Sequence, residues 1–290
     1  MKTAVIVDTA GYLSEQQLQH PDIYELPIEL NFADGESFPD TAQIEKLRTF
    51  FDKVSQSDRL PSTSQPAIGK YLELLEELID KGYEQIFSVH LSSGISGTYK
   101  TACKLLESVS EQVTTYCVDS KGASVEMALI VKQLVTDLEA GCSGAEAFER
   151  ANWLADHSQI YLKVEDMNNL VKGGRLNAAV AKIGGVLRVR PVLHFDEAGE
   201  IVLYETMRSD RLVNKKWCQL AKQAFDAYDG QIQLAFAHAD AESAVAATIE
   251  YFKEHLPEYQ KDYEVAVLGA AVANYTAQGA VGFVISPLPQ

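Results

Sequence analysis

The stretch QIFSVHLSSGISGTYKTACKLLE, residues 85–107, contains the three parts of one strand–loop–helix unit in order. The short apolar run 85–90 predicts a buried strand, and the helical spacing of apolar residues over 99–107 predicts a helix. Between them, residues 92–98 form a loop rich in hydroxyl groups and glycine, with no charged residue. A strand that passes into a helix through such a loop is typical of an α/β protein.

The same alternation continues on both sides of this unit. Short apolar runs alternate with longer segments of helical period, which is the pattern of parallel strands joined by crossover helices. The first half of the chain therefore predicts an α/β domain with a mainly parallel sheet. Its predicted strands are 3–7, 25–31, 85–90 and 113–118, and its predicted helices are 14–20, 44–54, 68–81, 99–107 and 125–138.

The pattern changes in the second half, where two strands adjoin without a helix between them. Residues 190–195 and 201–206 flank a glycine-containing turn and predict a β-hairpin. We therefore predict two α/β domains, 1–155 and 156–290, with a ligand in the crevice between them. The other predicted elements of this half are helices 143–157, 211–228 and 242–255 and strands 160–164, 231–236, 264–268 and 281–285.

Composition excludes several classes of function. The formal net charge of −16 repels nucleic acid and anionic bilayers, so neither is an expected partner. No stretch approaches the roughly 20 apolar residues of a membrane span, and the apolar run 3–7 is too short for a signal peptide. The four cysteines lack a CxxC step and the six histidines lack an HExxH pattern, so no metal is expected. A soluble, cytoplasmic protein is predicted.

Two neutral loops are the leading candidates for a ligand site. Thr63-Ser64-Gln65-Pro66 and Ser92–Thr98 each stand where a helix is expected to begin. Hydroxyl groups and free backbone N–H groups at a helix start suit an anion, either a carboxylate or a phosphate. The alternative is that these hydroxyls only cap helices. Gly94 and Gly97 favour a ligand, because capping alone does not require a sharp turn or a close backbone approach.

Other candidate residues have plainer alternatives. Lys172-Gly173-Gly174-Arg175 is a phosphate-binding turn, a docking loop or only a basic surface turn. Asp8 and Asp119 either hold a metal for phosphoryl transfer or only cap turns, and His90 either assists a headgroup or is a buried structural imidazole. The sequence lacks the Walker A, GxGxxG and GxSxG patterns, and its order shows no Ser-His-Asp triad.

Three motifs, taken together, closely resemble those of the DegV family of bacterial lipid-binding proteins. They are Thr63-Ser64-Gln65-Pro66, Ser92-Ser93-Gly94-Ile95-Ser96-Gly97-Thr98-Tyr99, and the stretch from Asp166 to Leu176 that reads DMNNLVKGGRL. Each motif alone has low specificity for the family, whereas the three in this order and at this spacing make a strong match. The pairs Asp8-Thr9 and Asp119-Ser120 and the stretch RPVL at 190–193 also fit, so the resemblance covers about the whole chain.

The resemblance implies a fatty-acid carrier without a catalytic site or cofactor of its own. Such a protein holds one long-chain fatty acid between two domains and presents the carboxylate to a separate fatty acid kinase subunit, whose acyl phosphate product feeds phospholipid synthesis. By motif position, Thr63 and Ser96 would bind the carboxylate, and Arg175 would lie near the mouth where the kinase docks. Supporting headgroup contacts are expected from Ser64, Ser93, Gly97 and Tyr275.

The chain departs from the family pattern near its C-terminus. The family usually has His-x-Gly-x-Gly there, whereas this chain has Tyr275-Thr276-Ala277-Gln278-Gly279. Tyrosine can hydrogen-bond but, unlike histidine, is not a cation near neutral pH. The change bears on kinase docking or phosphate transfer more than on headgroup binding, and it leaves open a carrier with a different partner or ligand preference. Two alternatives stay open: a phosphoryl-transfer enzyme using Asp8, Asp119 and residues 172–175, and a lipid-responsive regulatory protein using the same pocket.

Overall fold

The computed structural model describes residues 1–165, 167–177 and 189–289, so Asp166 of the third motif lies outside the described residues. The strands are β1 Thr3–Asp8, β2 Ile23–Leu26, β3 Glu29–Asn31, β4 Ser37–Pro39, β5 Ser62–Ser64, β6 Gln85–His90, β7 Thr114–Asp119, β8 Gln159–Lys163, β9 Arg190–Phe195, β10 Ile201–Met207, β11 Ile232–His238, β12 Glu264–Val267 and β13 Val281–Pro287. The helices are α1 Glu15–Leu18, α2 Ile44–Ser55, α3 Ile68–Asp80, α4 Thr98–Glu107, α5 Val125–Glu139, α6 Gly144–His157, α7 Asn168–Lys172, α8 Asp210–Ala227, α9 Glu242–His255 and α10 Ala270–Thr276, with a 3₁₀ turn at Thr9–Gly11.

The first sheet has four parallel strands in the order β2-β1-β6-β7. Every residue of β6 is buried, because helices cover both faces of the sheet. Ile6 and Ile86 pack with α3 and α4 on one face, and Val5 and Phe87 belong to the core that contains α5 on the other. The predicted α/β class with a parallel first sheet is confirmed.

The second sheet has the order β10-β9-β8-β13-β11-β12 and is antiparallel except between β11 and β12. The predicted hairpin is present as β9 and β10. Trp217 of α8 and Phe252 of α9 pack against Phe236 and Phe283 on one face. On the other face, α5 contacts β11 and β13 while it also contacts β6 of the first sheet. α5 thus joins the two sheets, and α6 does the same through β7 and β13.

Residues from both halves form one hydrophobic core. Met127 and Ile130 of α5 and Leu154 of α6 share a cluster with Ala235 and Val284 of the second sheet. The first sheet is built from residues before 120 and the second from residues after 158. The division into domains at residue 155 stays a prediction, since α5 and α6 contact strands of the second half.

The prediction of one strand over 25–31 was wrong. The structure has two strands there, and they belong to different sheets: β2 lies at the edge of the first sheet, whereas β3 is the centre of a small antiparallel sheet ordered β4-β3-β5. Pro27 stands between them. Proline has no N–H to donate, so it interrupts the strand ladder and lets the chain change sheets.

Among the described residues, no helix is both long enough and apolar enough to cross a membrane.

Candidate functional site

A cavity with a largely apolar wall lies where the first half of the chain meets the second sheet. Leu91 and Val125 line it from the first half, and Ile160, Leu162 and Val284 line it from β8 and β13. Further apolar lining residues are Ile28, Ile95, Ala123, Leu170, Phe195, Ile201, Ala237, Leu268, Ala271 and Val272. An apolar wall of this extent suits a hydrocarbon chain.

Polar side chains from three distant segments meet on the same cavity. Thr63, Ser96 and Tyr275, which we call the hydroxyl mouth, all line it, and so do Gly97 and Arg175. Five of the predicted site residues are thus brought together, although they span more than 200 positions of the chain. Their roles in binding a headgroup remain predictions.

Two other predicted headgroup residues are placed less favourably. Ser64 lines the cavity, but it is exposed and its hydroxyl accepts a hydrogen bond from the side-chain amide of Asn31 at 2.7 Å. Ser93 is not among the lining residues, and its backbone N–H donates to Asp119 at 3.0 Å. The geometry therefore gives no support to a headgroup contact from Ser93.

Thr63 is held in position by backbone pairing. The sequence predicted it in a loop at a helix start, whereas it lies in β5 opposite Leu30 of β3, and α3 begins only at Ile68. Its hydroxyl is 2.8 Å from the hydroxyl of Tyr275. Two hydroxyls that share one hydrogen bond have two protons and use one between them, so the pair retains one O–H group for a ligand.

Ser96 lies two residues before the first residue of α4, with Gly97 as the N-cap, and its side chain both bonds to the first turn of the helix and lines the cavity. Its hydroxyl accepts from the backbone N–H of Thr98 at 3.2 Å and lies 2.9 Å from the Thr98 hydroxyl. Ser96 thus satisfies a backbone N–H at the start of α4, as the capping alternative expected. The Ser96–Thr98 hydroxyl pair also retains one O–H group that can bind a ligand. The amino end of α4 adds a partial positive charge beside it.

Two glycines allow the loops to approach each other. A β-carbon at Gly97 would overlap the side-chain amide of Gln65, which in turn accepts from the Thr101 hydroxyl at 2.8 Å. A β-carbon at Gly94 would overlap the backbone of Gly199 in the β9–β10 turn. The close approach expected of these glycines was toward a ligand, whereas in the structure it is toward Gln65 and Gly199, and it joins the two hydroxyl loops to each other and to the hairpin.

Arg175 and Gly173 fix the ring of Tyr275. The guanidinium carbon of Arg175 is 4.4 Å from the centre of that ring, and its Nε and Nη1 donate to the carbonyls of Ile95 at 3.2 Å and Gly173 at 2.6 Å. A β-carbon at Gly173 would overlap the ring. The turn at 172–175 thus uses Arg175 to close one side of the cavity.

The first sheet contains a second polar cluster that does not line the cavity. Asp8, His90 and Ser88, which we call the buried triad, are each 0% exposed. His90 Nδ1 is 2.8 Å from the Asp8 carboxylate, and His90 Nε2 is 2.7 Å from the Ser88 hydroxyl, which also contacts the Tyr71 hydroxyl. Sequence order did not show this Ser-His-Asp arrangement. Its burial denies a substrate access, which favours the structural interpretation of His90.

The two predicted metal-binding aspartates have structural partners instead. Asp8 also accepts from the backbone N–H of Ala10 at 3.0 Å, and Asp119 accepts from the N–H groups of Ser93 and Lys121 at 3.0 and 3.1 Å. Within residues 1–165, 167–177 and 189–289, no group of three or more His, Cys, Asp or Glu side chains could hold a metal ion. This geometry favours the turn-capping interpretation of both aspartates.

A model of the family described as "uncharacterised protein, DegV family" matches residues 2–288. The chain belongs to the DegV family. It is 31% identical over 288 residues to the DegV domain-containing protein SA0704 of Staphylococcus aureus, covering 97% of this chain and 96% of that protein.

Solved DegV structures share the whole fold. The fatty acid binding DegV family protein SAG1342 of Streptococcus agalactiae is 29% identical, covers 100% of both chains and superposes with a TM-score of 0.88. The Fak B3 protein of Streptococcus pneumoniae fatty acid kinase, solved loaded with linoleic acid, is 21% identical, with a TM-score of 0.85 over 99% of this chain and 100% of that one. At 21% identity, the similarity to the Fak B3 protein shows a shared fold.

A helix that the sequence analysis missed carries part of this DegV site. α10 contributes Ala271, Val272, Tyr275 and Thr276 to the cavity wall. The alanine-rich stretch AAVANYT was a usable signal, since alanine is the best helix former. At only seven residues, the segment is too short to show a helical period.

Asp40 fixes the amino end of α10 and was also missed. Its carboxylate accepts from the backbone N–H of Ala271 at 2.8 Å, the Thr9 hydroxyl at 2.8 Å and the Tyr12 hydroxyl at 3.2 Å. Burial raises the pKa of Asp40 to about 6, although these hydrogen bonds oppose the shift. A lone aspartate in a loop gives no sequence signal for contacts this distant.

Proposed function

We propose that the protein binds one long-chain fatty acid and presents its carboxylate to a separate kinase for acyl-phosphate formation. The observation that carries this proposal is a largely apolar cavity with the hydroxyl mouth on its wall. A fatty acid has this same division into an apolar chain and an anionic headgroup. The DegV motifs and the fatty acid binding relative from S. agalactiae, 29% identical, support the assignment.

Burial of the hydrocarbon chain would supply most of the affinity. Each buried CH₂ contributes about 0.8 kcal/mol, so about 15 methylenes contribute on the order of 12 kcal/mol before ordering and association costs are subtracted. The headgroup interactions then need only to fix the orientation of the ligand. Neutral hydroxyls are sufficient for that task.

The hydroxyl mouth has the right number of free donors for a carboxylate. The Thr63–Tyr275 pair and the Ser96–Thr98 pair each retain one O–H group, and a carboxylate has two oxygens. Neutral donors hold these oxygens without the strong charge neutralisation of a bidentate arginine. A carboxylate oxygen would therefore stay nucleophilic toward the phosphorus of a phosphoryl donor held by the kinase. Attack forms the acyl–phosphate bond, and the donor's leaving group departs with its electron pair.

In this proposal the protein holds and orients the fatty acid, and the partner kinase supplies the phosphoryl-transfer chemistry. Arg175 lies beside the mouth and is half-buried, so it is placed to contact a docked kinase. Tyr275 provides a hydroxyl where the family usually has histidine. Headgroup binding thus needs no protonated imidazole, and the isolated protein is expected to show no nucleotide turnover.

The first test is the double variant Thr63→Ala/Ser96→Ala. In this proposal Thr63 and Ser96 donate to the carboxylate, while the Tyr275 and Thr98 hydroxyls lie behind them and donate to them. Hydrogen bonds to a charged group contribute about 1.5–3 kcal/mol each, so loss of both headgroup contacts is expected to weaken fatty-acid binding at least about a hundredfold. Calorimetric titration of the delipidated full chain with oleate measures this effect. The matched control is Ser108→Ala/Thr136→Ala, which removes two exposed hydroxyls outside the cavity, one just after α4 and one in α5. Equal affinity of the test variant and the control would refute the headgroup assignment.

A further inference from the structure

The cavity wall carries a polar group that the proposed headgroup site does not use. Ser124 lines the cavity at the amino end of α5 and is only 3% exposed. Its hydroxyl has no hydrogen-bond partner among the described residues. Buried hydroxyls are normally paired, so an unpaired one on a cavity wall indicates a partner that the protein itself does not provide.

The backbone at Ser124 separates its hydroxyl from the usual capping role. Ser124 has φ +61° and ψ −137°, a combination that residues other than glycine rarely adopt, and its N–H donates to the carbonyl of Ala10 at 2.7 Å. A serine directly before a helix usually accepts from one of the first backbone N–H groups. Within the described chain, no side chain caps α5. The Ser124 hydroxyl and the amino end of α5 are therefore both available at the cavity.

A second hydroxyl on the same cavity is also unpaired. Thr276 of α10 is 2% exposed, lines the cavity and, among the described residues, has no partner for its hydroxyl. Ser124 comes from the first half and Thr276 from the second. A plain hydrocarbon chain cannot form a hydrogen bond with either group, whereas an oxygen atom on the chain can.

We propose that Ser124 and the amino end of α5 form a second polar subsite for an oxygen atom on the hydrocarbon chain of the ligand. The preferred ligand class is then a hydroxy or oxo fatty acid. The inference rests on the proposed function, since the hydroxyl mouth must hold the carboxylate while Ser124 holds the second oxygen. A ligand hydroxyl can donate to Ser124 Oγ, and either type of oxygen can accept from it.

The test compares stearic acid with a series of positional hydroxystearic acids on the delipidated full chain. We expect one positional isomer to bind the wild type about tenfold more tightly than stearic acid, the effect of one buried hydrogen bond. Ser124→Gly removes the hydroxyl and suits the positive φ, so it should abolish this preference. Stearic acid should bind to the variant at least as tightly as to the wild type, because no unpaired hydroxyl is then buried against its chain. Ser124→Ala should abolish the preference as well.

The matched control is Ser286→Ala. Ser286 is a buried serine of β13 that lies outside the cavity lining and bonds to Ser158, so this variant should keep the preference. Equal binding of stearic acid and every isomer by the wild type would overturn the subsite. So would a preference that survives in Ser124→Gly. If the wild type bound neither kind of acid, the proposed function itself would fail, and with it the subsite.

Discussion

The buried triad and the hydroxyl mouth are two clusters of polar side chains, and they differ in how completely their hydrogen-bonding groups are paired. In the triad, each side chain bonds to another and none reaches solvent or the cavity. In the mouth, the hydroxyls are paired only two by two and line the cavity. Under the proposed function, the difference means that polar side chains alone do not define a binding site. Spare hydrogen-bonding capacity and access to a ligand are also required.

The largest expected effect is the loss of stability on removing the His90 side chain from the buried triad. His90→Ala removes the side-chain partner of the Asp8 carboxylate and one partner of the Ser88 hydroxyl, and removal of one partner of a buried pair costs about 3–5 kcal/mol. Urea denaturation should show this loss in the free energy of unfolding. His255→Ala, at a partly exposed histidine of α9, should cost less than about 0.5 kcal/mol. A loss below about 1 kcal/mol for His90→Ala would contradict the structural role of the triad.

Asp40 lies between the buried triad and the hydroxyl mouth, since it contacts Thr9 beside the triad and the amino end of α10, the helix that carries Tyr275. Its raised pKa predicts that the stability of the protein depends on pH. Its folded pKa of about 6 exceeds the ordinary aspartate value near 3.9, so between these values the folded state holds a proton that the unfolded state has released. This contribution to stability is therefore present at low pH and is lost as the pH rises through about 6. At about 1.36 kcal/mol per pKa unit, it amounts to about 3 kcal/mol.

The measurement is the free energy of unfolding of the wild type and Asp40→Asn from pH 4 to 7. The stability of the wild type relative to the variant should fall across this range, because Asp40→Asn has no proton to lose at this position. Parallel profiles for the two proteins would contradict a raised pKa at Asp40.

A smaller effect tests whether the position of the Tyr275 ring determines the affinity of the mouth. Gly173→Ala places a β-carbon on that ring and should displace its hydroxyl from Thr63, weakening fatty-acid binding about tenfold with little loss of stability. Fluorescence competition against a lipid probe measures the change. Gly69→Ala in α3, where a β-carbon meets no neighbour, should bind as the wild type does. Unchanged fatty-acid binding by Gly173→Ala would show that the position of the Tyr275 ring does not affect the affinity.

The smallest effect isolates the Tyr275 hydroxyl. Tyr275→Phe keeps the ring against Arg175 but removes the partner of Thr63, so binding should weaken by about 1 kcal/mol, or roughly fivefold. Tyr251→Phe on α9, outside the cavity, serves as the control in the same titration. A variant indistinguishable from this control would show that Thr63 and Ser96 hold the headgroup without help from Tyr275.

Local patterns predicted the regular elements of the fold well. The unit at 85–107 was predicted correctly because the strand, the glycine-containing loop and the helix each have a local sequence pattern, so no contact with a distant segment was needed to recognise them. The break at Pro27 was missed, although proline was a local signal, because apolar residues continue on both sides of it. The short strand β5 was missed because three polar residues carry no alternating pattern, and pairing with β3 decides their conformation.

The site was predictable only where its residues cluster in the sequence. Thr63, Ser96 and Arg175 stand in compact motifs, so a resemblance could select them. The apolar wall comes from single residues of β8, β11 and β13, each of which resembles any other core position. Ser124 was passed over because a serine before a helix ordinarily means a cap, and only its backbone conformation and unpaired hydroxyl distinguish it.

The cavity borders the core that both halves of the chain share, and this has a thermodynamic consequence for the proposed carrier. A lipid in that position extends the protein interior, so occupancy and folding are linked equilibria. At a free ligand concentration a hundred times the Kd, the filled form gains about 2.7 kcal/mol over the empty one. Handing the lipid to an acceptor then costs the carrier part of its own resistance to unfolding, and the heat stability of a preparation reports how much lipid it still carries.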